Sequence, residues 1–161
     1  MKMLAGVLAI VCVLTLPRNG YAQVDVKPAP DQARLLGSAD PRLAANKRLV
    51  YDFWREVLEA GHMDLAPKYM RESYIQHNPN VPTGRAAFID FFTKVSKPKP
   101  IQPTIQAPLV AVVAEGDLVV LSFARKAPDP KDKTKTYTTT WFDMFRVDGD
   151  KIAEHWDCDS K

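Results

Sequence analysis

The sequence predicts an α+β fold, with helices gathered toward the N-terminal side of an antiparallel sheet. Three observations carry this. Apolar residues recur at helical spacing from Leu43 to Leu58 and again from Ala87 to Val95. Pro98, Pro100 and Pro103 then bar any further helix. Beyond them the spacing is that of strands, interrupted by turns at Glu115-Gly116-Asp117 and Asp148-Gly149-Asp150. The predicted order is α-α-β-α-β-β-β-β.

Residues 1–22 read as a secretory signal peptide. Lys2 precedes an apolar run from Met3 to Leu16, and Gly20 and Ala22 supply small residues at −3 and −1 of a cleavage before Gln23. The run is shorter than the roughly 20 residues that cross a bilayer, and Pro17 and Arg18 close it. The mature protein is therefore expected in the periplasm or outside the cell, with no stable membrane insertion. Losing Lys2 and Arg18 lowers the formal charge from +3 to +1, which leaves no electrostatic footprint for nucleic acid. Cys12 leaves with the signal, so Cys158 has no intrachain partner and is expected as a half-buried strand thiol.

Residues 23–40 are rich in Pro, Asp and Ala without sustained periodicity, which suits a flexible linker or an arm lying on the domain. The domain itself is expected over residues 41–161. Asp40 before Pro41 makes an N-cap and first helical position, and Leu43, Val50, Phe53, Trp54, Val57 and Leu58 mark one face up to Gly61. A short second helix follows from Asp64 to Met70, then the extended segment YIQHNPN, stopped by Pro79 and Pro82. Thr83 or Gly84 opens the third helix, with Phe88, Phe91, Phe92 and Val95 on its stripe. Four strands complete the chain, and the charged stretch from Pro128 to Lys135 forms a solvated hairpin tip.

Three phrases, YIQHNP at Tyr74 to Pro79, VVAEGDLVVL at Val112 to Leu121 and WFDMFRVDGDKIAEHWD at Trp141 to Asp157, resemble the SnoaL-like branch of the nuclear transport factor 2-like superfamily. The resemblance covers essentially Pro41 to Asp159. It implies a cone, a curved antiparallel sheet wrapped on three helices, with a pocket at the wide end and often a homodimer packed sheet on sheet. It also implies polyketide cyclase-like chemistry without a cofactor, in which an acidic residue on the last strands moves a proton beside a carbonyl. Members range from cyclases and isomerases to non-catalytic binders, so fold alone does not give function.

A three-residue turn that sets Val147 against Lys151 places Asp143 opposite His155 and Trp141 opposite Asp157, all on one sheet face. A two-residue turn slips the register and turns His155 to the other face. On the first register Asp143, His155 and Asp157 form a carboxylate-imidazole-carboxylate cluster suited to acid-base work. The expected ligand is a small hydrophobic carbonyl compound, lined by Tyr74, His77, Trp141, Trp156, Phe53 and Phe92. His77 and His155 with a carboxylate have the donor types of a metal site, yet no H-x-H or H-x-x-x-H spacing accompanies them. No metal and no cofactor are expected. Two functions remain open at this stage: a cofactor-free cyclase or isomerase, and a non-catalytic periplasmic binder or dimeric interaction module.

Overall fold

A computed structural model describes residues 24–158. The predicted signal peptide lies outside them. Residues 24–40 lie along the domain. The Val26 amide donates to Thr138 Oγ1 at 2.9 Å, the Ala29 amide to the Leu109 carbonyl, and the single-turn α1 (Gln32–Leu35) is capped by Asp31. Gln32 latches this arm to the core: its Oε1 accepts from the Tyr51 hydroxyl and the Ile105 amide, and its Nε2 donates to the Ile105 carbonyl at 2.7 Å.

Helix α2 (Pro41–Phe53) starts as its residues require. The Asp40 carboxylate accepts from the Arg42 amide at 2.8 Å, and Pro41 sits where no amide hydrogen is needed. At Phe53 the winding widens into a π-helical turn, Trp54–Glu59, with the Ala60 amide reaching back five residues to the Arg55 carbonyl. This widened turn is the one feature of the helix that its spacing did not foretell. Glu56 locks the turn to α3 (Ala66–Tyr69) by accepting from the Tyr69 hydroxyl and from Lys68 at 3.2 Å. Burial and the Glu56 carboxylate push the Tyr69 phenol up to about 12.

Strand β1 (Met70–Gln76) precedes α4 (Arg85–Val95), and β2 (Leu109–Glu115), β3 (Leu118–Pro128), β4 (Thr136–Asp148) and β5 (Lys151–Asp157) follow. The sheet order is β1-β5-β4-β3-β2. The last four strands form the expected antiparallel meander, whereas β1 joins the edge parallel to β5, so the sheet is mixed rather than wholly antiparallel. Cys158 falls one residue past β5 and is exposed, not half-buried in a strand. Among the described residues no helix is long and apolar enough to cross a membrane.

The core fills the space between α2 and the concave sheet face. Val50, Phe53 and Val57 from the helix meet Leu109, Val119, Leu121, Phe145 and Ile152 from the strands, all buried. Each such side chain contributes about 1.5–3 kcal/mol by leaving water. Phe53 is the centre of an aromatic cluster, edge-on to Phe145 at 5.8 Å and Tyr69 at 6.0 Å and tilted against Phe88 at 6.1 Å.

The β4–β5 hairpin departs from the predicted register in an instructive way. Asp148 pairs with Lys151 around a two-residue turn, Gly149-Asp150, with Gly149 at φ 65°. That turn alone would send His155 to the outer face. The register then shifts: Val147 pairs with Ile152 but Arg146 pairs with Glu154, so Ala153 is an extra residue, a bulge. Beyond it Asp143 faces Asp157 and Phe145 faces His155, two residues away from the expected pairing and on the same face as expected.

Gly61 closes the helical segment at φ 76°, and a Cβ there would meet the Lys97 carbonyl oxygen and Ser96 Oγ at 2.7 Å each. Gly61→Ala is therefore expected to lower stability by at least about 1–3 kcal/mol, through strain and steric clash together, read as a shifted urea midpoint at unchanged slope. Gly149→Ala, with open space around its added Cβ, should lose clearly less.

Candidate active site

The concave face of the sheet, the π turn and α4 enclose a cavity of about 430 Å³. Its wall is aromatic, with Phe53 and Trp54 from the helical segment, Phe88, Phe91 and Phe92 from α4, and Trp141 and Phe145 from β4. Its polar groups converge from three strands: Tyr74 and Gln76 on β1, Asp143 on β4, His155 and Asp157 on β5, with Asn78 just beyond β1. A mostly apolar pocket with a few converging polar groups is the usual form of a small-molecule site.

Asp143 lies among ring donors. It is 6% exposed, and its Oδ1 accepts from Trp141 Nε1 at 3.3 Å while Oδ2 accepts from Trp54 Nε1 at 3.1 Å. His155, 7% exposed, sets Nε2 at 3.1 Å from Asp143 Oδ1 and Nδ1 at 2.9 Å from Gln76 Oε1. The Gln76 oxygen also accepts from the Asn78 amide at 3.0 Å, which fixes that end of the side-chain amide as the acceptor. His155 Nδ1 is then the donor to Gln76, and Nε2 faces the Asp143 carboxylate. Buried charge survives only when paired and hydrogen-bonded in this manner.

Asp157 sits across the hairpin from Asp143, half-buried on the cavity wall, and accepts from Asn78 Nδ2 at 2.7 Å. Asn78 is held in turn by an Asx turn, its Oδ1 accepting from the Asn80 amide at 2.8 Å. Asp143, His155 and Asp157 offer ligand atoms within 4.8 Å of one another, a spacing that would span a divalent cation. Asp143 already receives two indoles and an imidazole, a set that suits a fixed anion better than a metal ligand.

Of the residues singled out from the sequence, Asp143, His155, Asp157, Tyr74, Trp141, Phe53 and Phe92 all meet at this cavity. His77 and Trp156 do not. They stack on each other outside the sheet, rings 4.6 Å apart and nearly parallel, and His77 Nε2 pairs with Glu154 at 3.1 Å. The reason is the strand period. With Tyr74 inward, Gln76 is inward and His77 outward; with His155 and Asp157 inward, Trp156 is outward. The same alternation would have found Gln76, which sequence reasoning passed over in favour of the titratable histidine beside it. Trp54, read there as core, contributes its indole N–H to the site because the π turn begins at that residue.

A family model described as a SnoaL-like domain matches residues 50–155, about two-thirds of the chain, and the protein belongs to this family. Among solved structures, a protein of Acidithiobacillus ferrooxidans assigned to the polyketide cyclases aligns at 20% identity and a TM-score of 0.50, over 70% of this chain and 86% of the other. A nuclear transport factor 2-like protein of Anabaena variabilis aligns at 20% identity and 0.49, over 72% and 92%. An LEH-like epoxide hydrolase of M. tuberculosis aligns at 13% and 0.49, over 70% and 76%. At 20% identity the likeness to the Acidithiobacillus protein establishes a shared fold alone. No curated protein matches the chain.

Replacing Asp143 by Asn turns an NH2 group toward donors that it cannot satisfy. Asp143→Asn is expected to cost about 1–3 kcal/mol of stability by chemical denaturation, whatever its effect on function.

Proposed function

We propose that this domain is a cofactor-independent cyclase or isomerase acting on a small hydrophobic carbonyl compound. The observation that carries the reading is a carboxylate pair at the polar end of an aromatic cavity, one member of it hydrogen-bonded to a buried imidazole and two indoles. Asp143, with two indoles and an imidazole on its oxygens, is the fixed counter-charge. Asp157, half-buried on the wall and steadied by Asn78, is the base. It takes the proton from the carbon beside the carbonyl, and the C–H electron pair moves into an enolate. Asp157 then returns that proton, either to another carbon of a conjugated enolate, which moves the double bond, or to the alkoxide formed when the enolate carbon attacks a second carbonyl of the same molecule. Aromatic walls hold the ligand and exclude water, which strengthens every charge interaction inside.

A second reading is favoured by one specific observation: Asp143 and His155 have their hydrogen bonds already made within the protein, as in a site that only binds. The two readings part on one measurement. In D2O the protein should exchange the methyl protons of 1-acetylnaphthalene or related aryl ketones faster than buffer alone, followed by proton NMR. Asp157→Asn should slow that exchange by about 10²–10⁴-fold, the usual contribution of a general base. Ketones that bind but never exchange would end the enzyme reading and leave the binder.

We further propose export to the periplasm or medium, on the strength of the N-terminal segment, and a homodimer through the outer sheet face, where Val113 and Phe142 are exposed. N-terminal sequencing of the protein recovered outside the cytoplasm should begin at Gln23. A cytoplasmic chain that keeps its leader would overturn export.

A further inference from the structure

We infer that Gln76 is a positioning residue that turns the Tyr74 hydroxyl proton into the cavity, making Tyr74 the hydrogen-bond donor to a neutral acceptor oxygen on the ligand. The inference rests on the proposed function for its choice of a carbonyl as that acceptor. It begins from the side-chain amide. The Asn78 N–H fixes Gln76 Oε1, so the other end, Nε2, must be the donor that faces Tyr74 Oη at 3.1 Å. The backbone of Gln76 is itself pinned, its amide donating to Thr83 Oγ1 at 3.1 Å and its carbonyl accepting from the same hydroxyl at 3.2 Å. Turned over, the amide would set its NH2 against the Asn78 N–H, donor against donor, so the orientation is held by that one obligate donor.

A phenol that accepts from Gln76 has its own proton left to give. Tyr74 is 1% exposed and on the cavity wall, and among the described residues no protein acceptor stands within hydrogen-bonding reach of that proton. A buried donor without a partner is costly, which makes an acceptor from the ligand worth more here than in water. Burial first, and then the charges of Asp157 and Asp143, push the phenol well above its ordinary range, so it remains a donor at every physiological pH. Those same carboxylates disfavour an anionic ligand. What suits the site is a flat neutral molecule with a carbonyl at one end, and the donor lies where an enolate oxygen would gather charge.

The probes are 1-acetylnaphthalene and 1-ethylnaphthalene, alike in shape and differing by the carbonyl. The wild-type protein should bind the ketone about tenfold more tightly than the hydrocarbon. Its bound carbonyl infrared band should lie below the value in an apolar solvent. Tyr74→Phe removes the donor, and Gln76→Glu consumes it by offering the phenol a carboxylate. Each should reduce the affinity ratio to near one and return the band to its apolar position, in protein whose thermal transition shows it folded. A ratio near one in the wild type, or a tenfold ratio and lowered band that survive Tyr74→Phe, overturns the inference; either result leaves proton exchange at Asp157 standing on its own test. Binding of neither probe would overturn the reading of the cavity itself, and this inference with it. Loss of the preference in Tyr74→Phe but not in Gln76→Glu would refute the role of Gln76.

Discussion

A carboxylate and an imidazole buried side by side require that every lone pair and every N–H around them be answered. Asp143 and His155 set that requirement, and much of the structure can be seen as its fulfilment. Two indoles, from the π turn and from β4, supply donors to the carboxylate. Gln76 supplies the acceptor for the far side of the imidazole, and the Asn78 backbone holds Gln76. The polar network thus ties together the helical segment, both hairpin strands and the edge strand β1. Removing any single member leaves a buried partner unanswered, which is a larger loss than the hydrogen bond itself.

The network also explains why two local irregularities are tolerated. A π turn and a β-bulge both interrupt regular hydrogen bonding, and each lies next to the site. The π turn begins at Trp54, whose ring stacks on Phe123 at 4.5 Å while its N–H meets Asp143. The bulge at Ala153 restores His155 and Asp157 to the concave face after a turn that would have sent them outward. In both places the backbone departs from regularity where the departure aims a side chain.

The elements were legible in the sequence because hydrophobic spacing changes from helical to alternating at a proline-rich boundary, and because Asp40-Pro41 and the glycine turns mark their ends. The concave-face cluster was legible too, although through a pairing two residues out. Face depends only on the parity of the register, so an error of two leaves it intact. The bulge itself was not legible: Ala153 carries no side chain that announces it, and no local rule separates a three-residue turn from a tighter turn followed by an extra residue. His77 and Trp156 were misplaced for a different reason, since their chemistry outweighed the alternation of the strands that bear them. Gln76 was missed by the same bias in reverse, being a residue whose importance comes from what it touches.

The bulge has a consequence for how such a domain can vary. A strand that reaches its cavity through one surplus residue stores two alternative linings in one stretch of chain. Were Ala153 drawn into the ladder opposite Arg146, Glu154 and Trp156 would turn to the interior and His155 and Asp157 to solvent with no change of sequence, whereas loss of Ala153 would keep the present lining on a regular ladder. Register, rather than substitution, is then the quickest route by which this scaffold could exchange one interior chemistry for another.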